Sequence, residues 1–287
     1  MNPEDFDTGD PIAWCPGCGN FGILNAVKTA LAQSGRPPSQ ILLVSGIGQA
    51  AKLPHYVNCN CFNGLHGRAL PAAAGAKIAN RELTVVVATG DGDCYGEGGN
   101  HFIHNIRRNL DITVIVHDNQ IYGLTKGQAS PTTDQGHITK IQSAGVILEP
   151  LRPLELAIAM GASFAARGFS GDTEHLAGLI VKGMSHKGFA LIDVLQPCVS
   201  FNKVNTYQWY SKRVYKLDSS YNPADRIAAF AKACELGDRI PLGVIYETAK
   251  ETYEEKSGLD KRPPLVGADI LNVDINPALK DFAVTAE

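Results

Sequence analysis

With 287 residues and 44% hydrophobic content the chain can bury one large core, and a formal net charge of −3 without any Lys/Arg block leaves no electrostatic footprint for nucleic acid. The acidic start, Met1 to Pro11, lacks an apolar centre, and no apolar run approaches the roughly 20 residues that span a bilayer, so a cytoplasmic protein with no membrane contact is expected. Seven cysteines, grouped as Cys15/Cys18 and Cys59/Cys61 with Cys94, Cys198 and Cys234 apart, do not resemble a secreted disulfide framework and point toward metal.

Trp14-Cys15-Pro16-Gly17-Cys18-Gly19-Asn20 stands directly before an amphipathic run, Phe21 to Ala32, whose apolar residues recur at helical spacing. A C-x-x-C loop ahead of a helix aims two thiolates at one point. Half a zinc site, a redox dithiol, half an iron–sulfur ligand set and a structural pair all fit that pattern. A zinc ribbon would need a second C-x-x-C, whereas Cys59-Asn60-Cys61 is C-x-C, and a thioredoxin-type motif would follow a strand that Asn2 to Ala13 does not suggest.

Ile41 to Ser45 reads as a buried strand running into Gly46-Ile47-Gly48-Gln49-Ala50-Ala51, a loose fit to G-x-G-x-x-A. A dinucleotide site needs an acid about 20 residues on to hold the ribose. Between Lys52 and Arg81 there is no Asp or Glu, which argues against it. Leu53 to Arg68, broken by Pro54, Gly64 and Gly67, reads as loop; it carries His55 and His66, the latter either functional or a structural hydrogen-bonding group. Ala69 to Ala79 reads as a closely packed helix.

The chemistry concentrates between Leu83 and Ser130. An apolar β-rich run, Leu83 to Thr89, stops at Gly90-Asp91-Gly92-Asp93; a helix is expected over Asn100 to Arg108; a second run, Ile112 to Val116, stops at His117-Asp118-Asn119. This is a βαβ unit with oxygen ligands at its carboxyl edge, where open parallel sheets bind cofactors. Carboxylates at such a turn would repel a bare pyrophosphate, and a divalent cation resolves the repulsion. Mg²⁺ takes octahedral oxygen ligands, one or two from protein and others from phosphate. Asp91, Asn119 and a backbone carbonyl near Ile121 would supply half of that shell. His101 and His104, with no nearby carboxylate, read as packing and capping, and Cys94 and Cys234 as small core residues.

Lys126, in Leu124-Thr125-Lys126-Gly127-Gln128, lies just past those ligands, where an ammonium could meet a substrate carboxylate or a diphosphate; the alternative is a solvated loop lysine. Gly136 to Pro153 is irregular. Leu154 to Ala162 (helix), Ser163 to Ala166 (strand), Asp172 to His186 (helix) and Phe189 to Leu195 (strand) continue the alternation, and the last strand delivers Gln196-Pro197-Cys198 to the same edge. The expected fold is α/β, an open, mostly parallel sheet with helices on both faces over residues 1–200, followed by a C-terminal arm, 201–287.

GDGD followed by DNQIYGLT resembles the thiamine diphosphate and Mg²⁺ signature of thiamine-dependent enzymes. Together with WCPGCGNFGI, SGIGQAAKLPHY, LHGRALP, YGLTKGQASPT and LQPCVSFN, it is similar to the β subunit of 2-oxoacid:ferredoxin oxidoreductases, over roughly Trp14 to Tyr215. The resemblance implies a thiamine diphosphate-binding fold in which Gly90, Asp91, Gly92, Asp93, Asn119, Ile121, Gly123, Leu124 and Thr125 hold the cofactor. In it Asp91, Asn119 and the Ile121 carbonyl ligate Mg²⁺, and Cys15, Cys18 and Cys198 ligate a 4Fe-4S cluster. The family's remaining cysteine usually follows the G-I-G turn, where this chain has Gln49; Cys59, from the same loop, is the expected substitute. Lys126 and His66 are the expected catalytic residues.

The implied activity is coenzyme A-dependent oxidative decarboxylation of a 2-oxoacid to an acyl-CoA and CO₂, with ferredoxin reduced. The glutamate that activates thiamine would come from a partner α subunit, and the absence of C-x-x-C-x-x-C places any longer electron wire in other chains or in ferredoxin. Tyr207, Trp209, Tyr210 and Tyr215 would cap the cluster or grip a partner, and Lys212, Arg213 and Lys216 would attract an acidic ferredoxin. Two other readings stay open: a non-redox thiamine decarboxylase or synthase, which has no use for the cysteines, and a non-catalytic zinc-binding interaction subunit.

Overall fold

The segments richest in β-branched residues form the middle of one sheet, and the polar strand ends line its carboxyl edge. A computed structural model describes residues 1–269 and 272–283. In chain order its main elements are α1 (Asn20–Gln33), β1 (Ile41–Ser45), β2 (Asn60–Asn63), α2 (Ala69–Ala79), β3 (Thr84–Gly90), α3 (Gly99–Arg108), β4 (Ile112–Asp118), β5 (Ile121–Tyr122) and β6 (Gln128–Ala129). There follow α4 (Pro153–Ala159), β7 (Phe164–Phe169), α5 (Thr173–Ser185), β8 (Phe189–Leu195), α6 (Tyr207–Ser211), β9 (Val214–Lys216), α7 (Arg226–Ala233) and β10 (Ile240–Glu247).

The sheet has eight strands in the order β2-β1-β3-β4-β8-β7-β10-β9, with β5 and β6 forming a separate hairpin. From β2 to β7 all neighbours are parallel; β10 runs antiparallel to β7 and parallel to β9. Every residue of β4 and of β8 is buried, as strands covered on both faces must be. One face is covered by α1 and α5, through Ile23, Val27 and Leu31 against Leu176 and Ile180. The other is covered by α2, α3, α4 and α7, through Leu70, Phe102, Ile106, Leu154 and Ala229.

The chain advances across the sheet from β1 through β3 to β4, jumps to β7, and returns to β8. The connections that leave β1 and β3 diverge, to β2 on one side and to β4 on the other, which makes the β1/β3 gap the kind of switch point at which open α/β sheets bind ligands. Along the same carboxyl edge Asn119 follows β4 and Gln196 follows β8, and the Gln196 N–H donates to the Asp118 carbonyl at 2.9 Å.

Two expectations are corrected, and the limits of two elements shift. The 201–287 segment is not an arm outside the α/β domain, because β9 and β10 add two strands to its sheet and α7 packs on it; residues 270, 271 and 284–287 of that segment lie outside the described ones. Residues 53–68 are not all loop, because Asn60–Asn63 pairs with β1 as an edge strand. Asn side chains anchor it: Asn60 Nδ2 donates to the Ser39 and Ile41 carbonyls, and Asn63 Nδ2 to Ser45 Oγ. The Gly-rich turn after β3 takes the form of a π-helical piece, Gly92–Glu97. The helix expected over Leu154–Ala162 ends at Ala159, and the strand expected over Ser163–Ala166 runs to Phe169.

Candidate active site

The first half of the site is made where α1 begins. Its N-terminal glycines leave no room for side chains: a Cβ on Gly19 would lie 2.6 Å from Gln196 Cγ, and one on Gly22 would collide with the Ser170 carbonyl oxygen. The helix is thus wedged between the loops that leave β7 and β8, and the Gly19 N–H donates to the Pro197 carbonyl at 3.2 Å. That contact carries the C-x-x-C loop to Cys198. Cys15, Cys18 and Cys198 line one small cavity of about 40 Å³ together with Trp14, Gln49 and Asn119. Ser200 Oγ donates to Cys15 Sγ at 3.0 Å and Gln196 Nε2 to Cys18 Sγ at 3.4 Å. Burial, with the neighbouring Cys198 and Cys15 sulfurs adding to it, pushes the Cys18 thiol up to about 11. A thiolate here needs positive charge from a bound group.

Among the described residues no three His, Cys, Asp or Glu side chains converge closely enough for a single ion. A four-iron cluster binds each cysteine at a different iron, so its ligands stand farther apart than those of one ion.

Cys59 is not part of this cavity. It immediately precedes β2, whose Asn60 pairs in register with Leu42 near the amino end of β1. The cavity lies at the carboxyl end, four residues and roughly 13 Å farther along the strand. Cys59 instead packs against the core beneath α1, and burial raises its thiol to about 12, with Cys61 adding to the shift. Its proximity in sequence to Gln49 is undone by the connection through Ala50–Tyr56, which returns the chain to the amino end of β1 so that β2 can pair parallel to it. Cys94 is buried in the opposite core and Cys234 is exposed beyond α7, so neither lines the cavity.

The second half sits at the ends of β3 and β4, which pair through Gly90 and His117, so that Asp91 and Asp118 follow side by side. Asp91 Oδ2 accepts from Ser130 Oγ at 2.5 Å and lies 2.7 Å from Thr132 Oγ1, which is also 2.7 Å from Asp118 Oδ1. One hydroxyl proton cannot serve both carboxylates, so without a cation one carboxyl must carry a proton. Burial raises Asp91, burial and the charges of Asp193 and Asp91 hold Asp118 well above the usual carboxylate range, and burial brings Asp193 to about 6. Arg167 is the buried counter-charge to Asp193. A divalent cation at Asp91 would relieve the repulsion. Asn119 Oδ1 accepts from the Ile121 N–H at 2.9 Å, while its Nδ2 donates to Gln196 Oε1 at 3.2 Å. Gln196 therefore joins the oxygen half to the thiol half.

Asp193 gives a test of this charge excess. Its folded-state pKa, about 6, lies above the ordinary 3.8, so its contribution to stability is fully present below the lower value and is lost as pH rises through about 6. Asn at position 193 keeps an oxygen for the Tyr95 hydroxyl, which donates to Asp193 Oδ1 at 2.7 Å. Asp193→Asn is expected to raise the free energy of unfolding of the cofactor-free protein at pH 7.5 by an amount on the order of 2–3 kcal/mol, and to leave it unchanged near pH 3.5. Thermal unfolding across that pH range checks it.

The remaining expected residues divide. Asp93 does not offer a free carboxylate: it accepts from the Ile47 and Gly67 N–H groups and from Thr89 Oγ1, and it holds His66 Nδ1 at 2.7 Å. It braces the G-I-G, H-G-R and G-D-G-D turns against one another. Gly92 and Gly96 make room for the Tyr122 side chain, because a Cβ on either would collide with it. Gly123, Leu124, Thr125 and Lys126 form the β5–β6 hairpin, whose Leu124, Thr125 and Lys126 are exposed. The hairpin seats Gly127 on the Phe201 ring, and Lys126 adopts a left-handed φ of 83°. The two expected catalytic residues are thus held separately, His66 on Asp93 and Lys126 on the hairpin tip. Gln196, Ser130, Thr132 and Tyr122 belong to the site without having been expected there. Only the S-P-T-T run after the hairpin hinted at the two hydroxyls.

Residues 43–194 match the family described as thiamine pyrophosphate enzyme, C-terminal TPP binding domain, and residues 198–259 match the C-terminal family of the pyruvate ferredoxin oxidoreductase beta subunit. The chain is 47% identical to the 2-oxoacid:ferredoxin oxidoreductase subunit beta of Saccharolobus solfataricus, over 95% of this chain and 97% of that one. It is 40% identical to the 2-oxoglutarate oxidoreductase subunit KorB of Mycobacterium tuberculosis, over 69% of this chain and 53% of that one. Its fold matches a solved 2-oxoglutarate:ferredoxin oxidoreductase of Magnetococcus marinus, with 2-oxoglutarate, coenzyme A and succinyl-CoA bound, at a TM-score of 0.91 and 35% identity, covering 99% and 97% of the two chains.

Proposed function

The chain belongs to the family of 2-oxoacid:ferredoxin oxidoreductase β subunits, and from that premise we propose that it carries the thiamine diphosphate, Mg²⁺ and iron–sulfur half of such an enzyme. The site is completed by a partner α subunit, and the reaction is coenzyme A-dependent oxidative decarboxylation of a 2-oxoacid with ferredoxin as electron acceptor. The observation that carries this reading is the single cavity lined by Cys15, Cys18, Cys198 and Asn119, tied through the Gln196 N–H to the Asp118 carbonyl and so to the buried acid cluster. Asp91, Asn119 and the Ile121 carbonyl would hold Mg²⁺ on the diphosphate. The three cysteines would hold the cluster. Bound there, thiamine diphosphate supplies the electron sink for decarboxylation and the cluster supplies the outlet for the electrons.

This chain's own residues then position and shield. Asp93 fixes His66 beside Glu97, whose Oε2 lies 3.7 Å from the His66 Nδ1, and Tyr122 covers the G-D-G-D turn. Lys126, exposed on the hairpin tip, offers its ammonium to the carboxylate of the oxoacid or to the diphosphate. Lys126→Met is expected to raise the KM for the oxoacid about tenfold or more while leaving the unfolding midpoint in place. Lys126→Gly should lose the same activity yet gain up to about 1 kcal/mol of stability, because glycine adopts the left-handed conformation without strain. Steady-state kinetics and thermal unfolding on the same preparations separate the two effects.

The deciding experiment is anaerobic purification with the subunit that copurifies, followed by 2-oxoacids plus coenzyme A and a low-potential dye. Dye reduction with bound thiamine, iron and sulfide is expected. No reduction by any oxoacid overturns the proposal, and zinc in place of iron without thiamine points to an interaction subunit. Among the described residues no helix is long and apolar enough to cross a membrane.

A further inference from the structure

Among the described residues three thiols line the cavity at the start of α1, and Gln49 is one of the polar residues beside them. The backbone of Gln49 is fixed, since its carbonyl accepts from Trp14 Nε1 at 2.9 Å and Trp14 is itself held edge-on by Phe21 and Tyr56. Its side chain is confined by Gly123, where an added Cβ would meet Gln49 Cγ at 3.6 Å. Yet Gln49 Oε1 is buried without any hydrogen-bond partner. A buried, unmatched acceptor oxygen is unfavourable, and it is relieved by a proton donor or a cation.

The neighbouring amides have the opposite polarity. Asn20 also lines the cavity and is fully buried, its Oδ1 engaged with His117 Nδ1 at 2.8 Å and its Nδ2 left without a protein partner. Gln196 Nε2 already donates to the Cys18 sulfur. Sulfur atoms are hydrogen-bond acceptors, so the N–H groups of Asn20 and Gln196 suit the sulfides and thiolates of a cluster. The lone pair of Gln49 suits an iron.

Resting on the proposed reading that an iron–sulfur cluster sits here, we propose that Cys15, Cys18 and Cys198 hold three of its irons and that Gln49 Oε1, stranded among them, is the ligand of the fourth. A neutral amide oxygen is a harder and weaker donor than a thiolate, so that iron is the exchangeable one. The cluster also carries one negative charge fewer than a four-thiolate cluster, and the two amide N–H groups act in the same direction. Its reduction potential is correspondingly higher.

The test uses the complete complex purified anaerobically. One equivalent of ferricyanide takes one electron from [4Fe–4S]²⁺ and becomes ferrocyanide; the resulting [4Fe–4S]³⁺ releases Fe²⁺ and leaves [3Fe–4S]⁺. In the native protein this treatment is expected to give the [3Fe–4S] electron paramagnetic resonance signal in most clusters, with one iron in four released. ⁵⁷Fe²⁺ plus a thiol reductant should then refill that one position, visible by Mössbauer spectroscopy. Gln49→Cys is expected to cut the signal about tenfold, retain all the iron and lower the potential. A native cluster as resistant as a four-thiolate one, or ⁵⁷Fe label spread over all positions, overturns the assignment of Gln49 alone. A preparation with neither iron nor sulfide overturns the cluster reading beneath it as well. Because the ⁵⁷Fe measurement needs only the native protein, the test does not depend on the folding of the variant.

Discussion

Replacing Asp91 with Asn is expected to move binding and stability in opposite directions. Mg²⁺-dependent affinity for thiamine diphosphate should fall by about 10²–10³-fold, and oxoacid turnover with it, while the cofactor-free protein becomes more stable. The first effect follows from removing the proposed anionic ligand of a divalent cation, a loss of several kcal/mol at about 1.4 kcal/mol per tenfold. The second follows from the surroundings of the carboxylate. Asp91 is buried, it shares Thr132 with Asp118, and burial raises its pKa, so at neutral pH its charge destabilises the cofactor-free fold. Asn keeps an oxygen for Ser130 and Thr132 and removes the charge. The gain in stability should vanish at acid pH, where Asp91 is protonated in both states. Calorimetric titration at fixed Mg²⁺ and thermal unfolding of the cofactor-free protein measure both. An Asp91→Asn variant that is destabilised, or that binds the cofactor normally, would show that Asp91 is a structural brace like Asp93.

Asp91 and Asn119 were legible in the sequence because each ends a buried, β-branched run. A period-two or continuous apolar run fixes where a strand stops, and the residue that stops it must lie at the sheet edge. Cys198 was legible for the same reason, since FALIDVL is buried throughout. The strands that escaped notice lack that signal. β2 is Asn-Cys-Phe-Asn, exposed throughout and held by pairing and Asn side chains rather than by propensity. β10 contains Pro241 and Gly243 and finds its partner, β7, far back in the chain. Expecting Cys59 at the cluster was a consequence of the first miss. Loop residues near in sequence are near in space, but the connection that must return the chain before β2 can pair parallel to β1 leaves Cys59 at the other end of the sheet. Ser130, Thr132 and Gln196 were illegible for a different reason: uncharged hydrogen-bonding side chains acquire a role only from what stands within about 3 Å of them.

Cysteine substitutions should then divide sharply by position. Cys198→Ser and Cys18→Ser are expected to empty most of the iron and sulfide from the complex and to lower acceptor reduction by at least about 10²-fold, because only three thiols reach the cavity and none of the other four can replace them. Cys59→Ser should leave iron, sulfide and turnover intact. Its cost is in stability, about 1 kcal/mol, since a hydroxyl replaces a half-buried thiol packed against Leu43 and the α1 face of the core. Cys61→Ser, on the exposed edge strand, should change neither. Iron and sulfide analysis beside thermal unfolding distinguishes the two groups without relying on activity. Iron lost from the Cys59 variant in a protein that still folds would return that residue to the cluster and require β2 to pair with β1 in a different register. The same result would leave Gln49 without its iron. Retention in Cys59→Ser together with loss in Cys198→Ser would confine the proposed cluster to the carboxyl edge between β4 and β8, beside Asn119.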